Sequence, residues 1–440
     1  MIYRMTRDYI LYLARLQRKT LFELGVNAFI FFFIVLEFLT SWTSIRESVG
    51  LFAIFLLAAL NFFWGFYSMI RDLKNFLTHE ESYIEQASYI IHPTYGKITL
   101  TDLEPSEYEK SNEFQKTQIN VADLNFPETV FYSNKINRYF WDNELGLIFD
   151  GKKQHQVKDL IKQEKNELLE FLKNRFTYSR KNRKIFYNGR MLCLSRDLDI
   201  NNGVAHVFEG EYFDNYVTNE ISSSQLCDSE TSRVLVDGTK FFPLEEDIDS
   251  KPTVSCITNS NLQNLIGACT LAFTKDNYLV IWKQNMRVQQ SNNLLVPSGS
   301  GSADLRDVEA SNFNKTLINT MHRELVEESM LDLDPHDIGN TKILGYYRWV
   351  RRGGLPEFAG ITKVNLSVAD FRPETMEVQV PKTANKFFVD SLEKLEKVID
   401  KFLNDSQGEI SVPLHMNLLF LKYYMQERHT DLEKFLFGEI

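Results

Sequence analysis

The chain has 440 residues, enough for two or three domains of ordinary size. Its formal net charge of −10 argues against a general binder of large nucleic acids, leaving only a local basic patch open. The four cysteines, Cys193, Cys227, Cys256 and Cys269, have no CxxC spacing. They suit a reduced compartment and exclude a disulfide or zinc framework.

The amino-terminal part differs from the rest. Arg4, Arg7, Arg15, Arg18 and Lys19 precede a nearly continuous apolar run at 21–42, and a second run follows at 49–70. Each is close to the roughly 20 residues that span hydrocarbon as a helix. A cleaved signal peptide would be single and shorter in its apolar core. The spacing therefore predicts a basic amino terminus (1–20) and a two-helix transmembrane hairpin (21–72). Arg71 and Lys74 follow the hairpin, so the positive-inside rule puts both termini in the cytoplasm. Glu37 is costly in lipid and fits either the outer headgroup region or the interior of an oligomer.

Residues 73–260 read as a strand-rich middle region without a motif of known chemistry. Residues 156–176 have helical spacing, with Val157, Leu160, Ile161, Leu168, Leu169 and Leu172 on one side. The basic run at 173–184 suits a solvated face or phosphate contact. The aromatic and amide run at 212–219 suits base stacking or the start of an amphipathic element.

From 261 to 440 the pattern becomes α/β. Two apolar strands, 265–273 and 278–282, flank a Lys275-Asp276-Asn277 turn. A loop of Ser298, Gly299, Ser300, Gly301 and Ser302 follows. The next helix carries Arg323, Glu324, Glu327 and Glu328. Its three carboxylates stand at i, i+3 and i+4, on one face, and Arg323 lies four residues before Glu327. Hard cations take oxygen ligands, a few from protein and the rest from water and phosphate. The row therefore suits a metal–diphosphate site, although the same spacing also suits a solvated helix face. Strands at 342–350 and 358–366 follow. Arg348, Trp349 and Arg351 combine ring and guanidinium for stacking and phosphate contact, or form an edge strand with solvated arginines. Two helices, 387–403 and 413–427, close the domain.

Strand, strand, glycine loop, REΦxEE helix and strand resemble the Nudix fold, over roughly residues 263–435. Arg323, Glu324, Leu325, Glu327, Glu328 and Leu331 match the Nudix box residue by residue. Met330 replaces its second glycine, Lys315 its upstream glutamate and Glu309 its opening glycine. Gly299 and Gly301 lie upstream of an insertion that holds Asp304, Asp307 and Glu309. The resemblance implies a Nudix-like α/β/α domain, with Glu327 and Glu328 holding Mg²⁺. Glu324 would position or deprotonate water, and Arg323 would orient the carboxylates.

With the hairpin, the chain resembles the transmembrane-Nudix effectors of bacterial CBASS anti-phage systems. That resemblance implies an inner-membrane protein whose cytoplasmic domain binds a cyclic oligonucleotide. Ser298–Ser302 or Arg348, Trp349 and Arg351 would contact the ligand, and binding would drive the transmembrane helices to assemble as a homo-oligomer in contact with membrane lipid and disrupt the inner membrane. The rival expectation is a membrane-anchored, Mg-dependent Nudix hydrolase of nucleoside diphosphate-linked substrates. A third is a binding platform without catalysis.

Overall fold

The computed structural model describes residues 2–16, isolated residues between 29 and 67, 82–122, 124–182, 184–283, 294–372, 385–405 and 408–438. Contacts divide the chain into two units: Met1–Tyr83 with Asp228–Arg233, and Ile84–Cys227 with Val234–Ile440.

In the first unit, the helix Ile2–Leu16 has 15 residues. It buries Met5, Tyr9 and Tyr12, spaced for one helical face. It rises about 22 Å, too little for the hydrocarbon layer, and carries Arg4, Arg7, Asp8 and Arg15. Among the described residues no helix is long and apolar enough to cross a membrane. This corrects two expectations, the transmembrane hairpin and the inner-membrane location. The runs at 21–42 and 49–70, Glu37 included, lie almost wholly outside the described residues.

Among the described residues, the second unit is built on a mixed sheet of nine strands. In chain order these are β1 (Gln115–Ile119), β2 (Glu128–Tyr132), β3 (Gly267–Phe273), β4 (Tyr278–Lys283), β5 (Leu295–Val296), β6 (Gly299–Ser302), β7 (Gly339–Trp349), β8 (Leu355–Val364) and β9 (Asn385–Phe388). The order is β5-β4-β3-β8-β7-β2-β1, with β6 on β3 and β9 on β4. Strands β3 and β8 run parallel, while β7 pairs antiparallel with β8 and β2. Strands from both sides of residue 260 therefore share one sheet. The register Arg348↔Phe131 and Trp349↔Val130 makes β7 an interior strand, not the edge strand that solvated arginines would need.

Alternation along β3 sorts its side chains between two layers. Cys269, Leu271 and Phe273 enter the core beneath the helices Leu392–Asp405, Val412–Glu427 and His429–Phe437. Ala268 and Ala272 face the other layer. There a long helix, Phe313–Ser329, here called αN, packs Phe313, Leu317, Met321 and Leu325 against Phe358, Tyr346 and Trp282. A three-stranded sheet, Gly146–Phe149, Val204–Glu211 and Arg190–Leu194, adds Leu192, Leu194, Ala205 and Val207 to the core shared with αN. With helix packed on one face and helices on the other, the unit is mixed helix and strand, of the α/β class.

The Ser/Gly segment forms a strand rather than a loop. Gly299–Ser302 pairs antiparallel with Gly267–Thr270 of β3. Its glycines serve close approach: a Cβ on Gly299 would stand 2.6 Å from the Leu325 Cα. Strand β6 thus lets αN sit almost on its backbone.

Candidate functional site

Helix αN begins at Asn312, whose side chain accepts from the Lys315 N–H, and ends at Met330. Met330 has φ 47° and ψ 46°, the left-handed conformation in which a glycine commonly ends a helix. The last turn of αN and the residues after it line an open cavity of about 560 Å³, bounded by Glu324, Val326, Glu327, Glu328, Met330, Leu331 and Asp332. The i, i+3, i+4 spacing therefore brings the three glutamates to one cavity. Their environments differ: Glu327 is exposed, Glu324 half-buried and Glu328 buried.

Arg323 lies behind this row and is 8% exposed. Its Nη1 donates to Glu324 Oε1 at 2.6 Å and to Glu327 Oε2 at 3.2 Å. Its Nε and Nη2 donate to the two oxygens of Asp307, both at 2.8 Å, and Nη2 also donates to the Ser302 carbonyl at 2.8 Å. Burial works against the guanidinium charge, but the hydrogen bonds and the charges of Asp307 and Glu324 outweigh it and raise its pKa above the ordinary arginine value. At the rim, Arg306 reaches Glu327 at 3.3 Å and Asp304 at 3.5 Å.

The donor set is chemically suited to a hard cation: carboxylate oxygens, one face, open to water. Among the described residues, however, no three His, Cys, Asp or Glu side chains stand close enough together to form a ready metal cluster. Both facts fit Arg323 drawing Glu324 and Glu327 onto its own N–H groups. Mg²⁺ needs only one or two carboxylates and completes its shell with water and phosphate.

None of the other expected ligand contacts lines this cavity. Ser298 is fully buried. Its hydroxyl accepts from the Ala272 N–H at 2.7 Å and donates to the Val280 carbonyl, while its own carbonyl takes the Trp282 indole at 2.8 Å. These bonds tie β6 to β3 and β4. Gly299 is buried under αN, and Ser300, Gly301 and Ser302 are half-buried. Gly301 lies directly beneath the Glu324 carboxylate, 2.2 Å from its Cδ were a Cβ present.

Arg348 is completely buried. Its guanidinium bonds Glu109 at 2.8 Å, the Gly354 carbonyl at 2.8 Å and the Ser255 carbonyl at 3.0 Å. Trp349 is 4% exposed and donates its indole N–H to Glu128 at 2.8 Å. Arg351 shares that carboxylate at 2.5 Å, and both Arg351 and Arg352 lie over the Trp349 ring. These groups hold the middle region to the sheet, with Arg348 and Trp349 enclosed and Arg351 half-buried. The run at 212–219 is likewise internal: Phe213, Asn215 and Asn219 are buried, and Asn219 bonds the Arg352 carbonyl and the Asn264 N–H.

Sequence reasoning passed over Asp307 as a partner of Arg323. A signal was present. Asp304 and Asp307 form a capping box at the turn Leu305–Asp307, the D-x-x-D form of a helix-start pattern.

No family model matches the chain, and no curated protein matches it. Solved structures do align. The MutT protein from Methanosarcina mazei Go1 aligns over 37% of this chain and 94% of its own, at 13% identity and a TM-score of 0.24. Tm1382, described as a candidate Nudix hydrolase, aligns over 36% and 71%, at 13% identity and 0.24. DR0079 from Deinococcus radiodurans aligns over 36% and 83%, at 12% identity and 0.22. At these scores the likeness carries no argument of its own.

Proposed function

We propose that the glutamate cavity binds a divalent cation together with the diphosphate of a nucleotide, and that the domain hydrolyses the diphosphate linkage. The observation that carries this reading is the convergence of Glu324, Glu327 and Glu328 on one open cavity in front of a buried arginine. Glu327 and Glu328 would hold the cation, which supplies charge neutralisation at phosphate and a more acidic water when bound. Glu324 takes the proton of the attacking water. Arg323 aims the Glu324 and Glu327 carboxylates through its Nη1. Val326, Met330 and Leu331 form the apolar part of the wall against the organic portion of the ligand.

A second reading is binding of a cyclic-oligonucleotide signal without turnover. It is favoured by Arg323 occupying oxygens of both Glu324 and Glu327, and by Met330 in place of the box glycine.

The two readings separate in one experiment on the full chain. ADP-ribose and a panel of cyclic dinucleotides and trinucleotides are each tested with and without Mg²⁺, following product formation and melting temperature. Mg-dependent release of AMP from ADP-ribose supports hydrolysis. Stabilisation by a cyclic oligonucleotide without product supports sensing; a ligand at 100 times its Kd adds about 2.7 kcal/mol. Neither product nor stabilisation by any probe would overturn both.

A further inference from the structure

The box position that ordinarily carries a glutamate is Lys315 here, exposed on the first turn of αN. It lies eight residues before Arg323, about 12 Å along the helix, beyond the span of a carboxylate hydrogen bond. Arg323 nevertheless has a two-pronged carboxylate partner, Asp307, which comes from outside the helix.

We propose that Asp307 is a positioning residue for the cavity, setting the aim and the available charge of Glu324 and Glu327 through Arg323. This rests on reading the cavity as a metal site. Asp307 is 4% exposed and firmly held. Its Oδ2 accepts from the Asp304 N–H at 2.9 Å and the Thr320 hydroxyl at 3.1 Å, and its carbonyl accepts from Asn319 at 3.0 Å. Two edges of the Arg323 guanidinium are thereby assigned. Nε and Nη2 face Asp307, while Nη1 faces the cavity glutamates.

The charge balance follows from this geometry. A buried guanidinium with only Glu324 and Glu327 as counterions would oppose a cation at those same carboxylates. Asp307 neutralises Arg323 from behind, so that the arginine orients the glutamates without cancelling them. The insertion between Gly301 and αN therefore supplies the carboxylate that the helix itself lacks.

The test uses Mn²⁺ alone as probe, titrated calorimetrically into the full chain, with melting temperature measured alongside. Asp307→Asn keeps the shape and removes the charge. It is expected to weaken Mn²⁺ binding 10- to 100-fold, the range of outer-shell changes. Asp307→Glu, which restores the charge, is expected to recover most of that loss and also covers the case in which the Asn variant does not fold. Asn319→Ala loosens the turn but leaves the carboxylate, and is expected to lower the melting temperature with Mn²⁺ affinity within about twofold of wild type. Wild-type affinity in the folded Asp307→Asn variant, no recovery in Asp307→Glu, or an equal loss in Asn319→Ala would overturn the proposal while leaving the cavity reading intact. A wild-type chain that binds no Mn²⁺ would overturn both.

Discussion

Replacing Arg348 by methionine tests whether this arginine holds the fold or meets a ligand. The change keeps much of the side-chain length and removes the charge, leaving Glu109 buried without its counterion. Both partners are fully buried, and breaking such a pair costs about 3–5 kcal/mol. At about 2 °C per kcal/mol for a large unit, the melting temperature should fall by roughly 6–10 °C. The loss should also depend on pH. Burial raises the Glu109 carboxyl above its ordinary value, and Arg348 pulls it back. Without Arg348 the folded-state value rises further. The carboxyl then keeps a proton in the folded chain that the unfolded chain has already released. That contribution is full below the ordinary glutamate value and is lost as pH rises through the folded one. Urea denaturation at pH 5 and pH 8 should therefore find the variant more damaged at pH 8. Adding Glu109→Gln should recover part of the loss, because the uncompensated charge is gone. A loss below about 1 kcal/mol, or an unchanged stability with weakened nucleotide binding, would refute the structural assignment and return Arg348 to the ligand.

Three further outcomes follow from the same geometry. Gly299→Ala places a methyl 2.6 Å from the Leu325 backbone, so αN must shift. A loss of about 1–3 kcal/mol in denaturant, with weakened Mn²⁺ binding, is expected. His322 is buried against Thr341, and burial, then His336, lowers its pKa to about 4. Between pH 6.5 and 4 the unfolded chain takes that proton first, so stability falls as pH falls, by at most about 3 kcal/mol across the window. His322→Gln should flatten that acid limb in pH-dependent melts. Met330→Gly removes a side chain from a left-handed backbone position and should raise stability by up to about 1 kcal/mol in thermal melts; a large loss would mean that Met330 packs more than its exposure indicates.

How much of this was legible in the sequence differs from element to element. The glutamate row was legible, because i, i+3, i+4 spacing on a helix leaves no other arrangement than one face. Strands β3 and β4 were legible from their apolar runs and the turn between them, where Asn277 takes φ 65°. The role of Ser298–Ser302 was not, because glycine-rich segments ordinarily favour loops. Close approach of αN makes glycine the residue that fits a strand there. Arg348 and Trp349 suggested ligand contact because arginine beside aromatics serves recognition as readily as burial. Their partners, Glu109 and Glu128, lie 239 and 221 residues away in sequence. Local spacing carries no trace of such pairs, nor of β2 joining β7. Asp307 was visible only as part of a capping pattern, since its partner stands 16 residues on. The apolar runs at 21–42 and 49–70 met the length rule for membrane spans, but among the described residues no helix meets it.

The central claim is that Glu327 and Glu328 hold a divalent cation. Isothermal titration of Mn²⁺ into the full-length wild type and the Glu327→Gln, Glu328→Gln double variant tests it most directly. The double variant nearly keeps side-chain volume and removes both anionic ligands. One class of Mn²⁺ site is expected in the wild type, with an affinity more than tenfold weaker in the variant. Equal binding by the two proteins, with both folded, would contradict it and make this helix a solvated charged face.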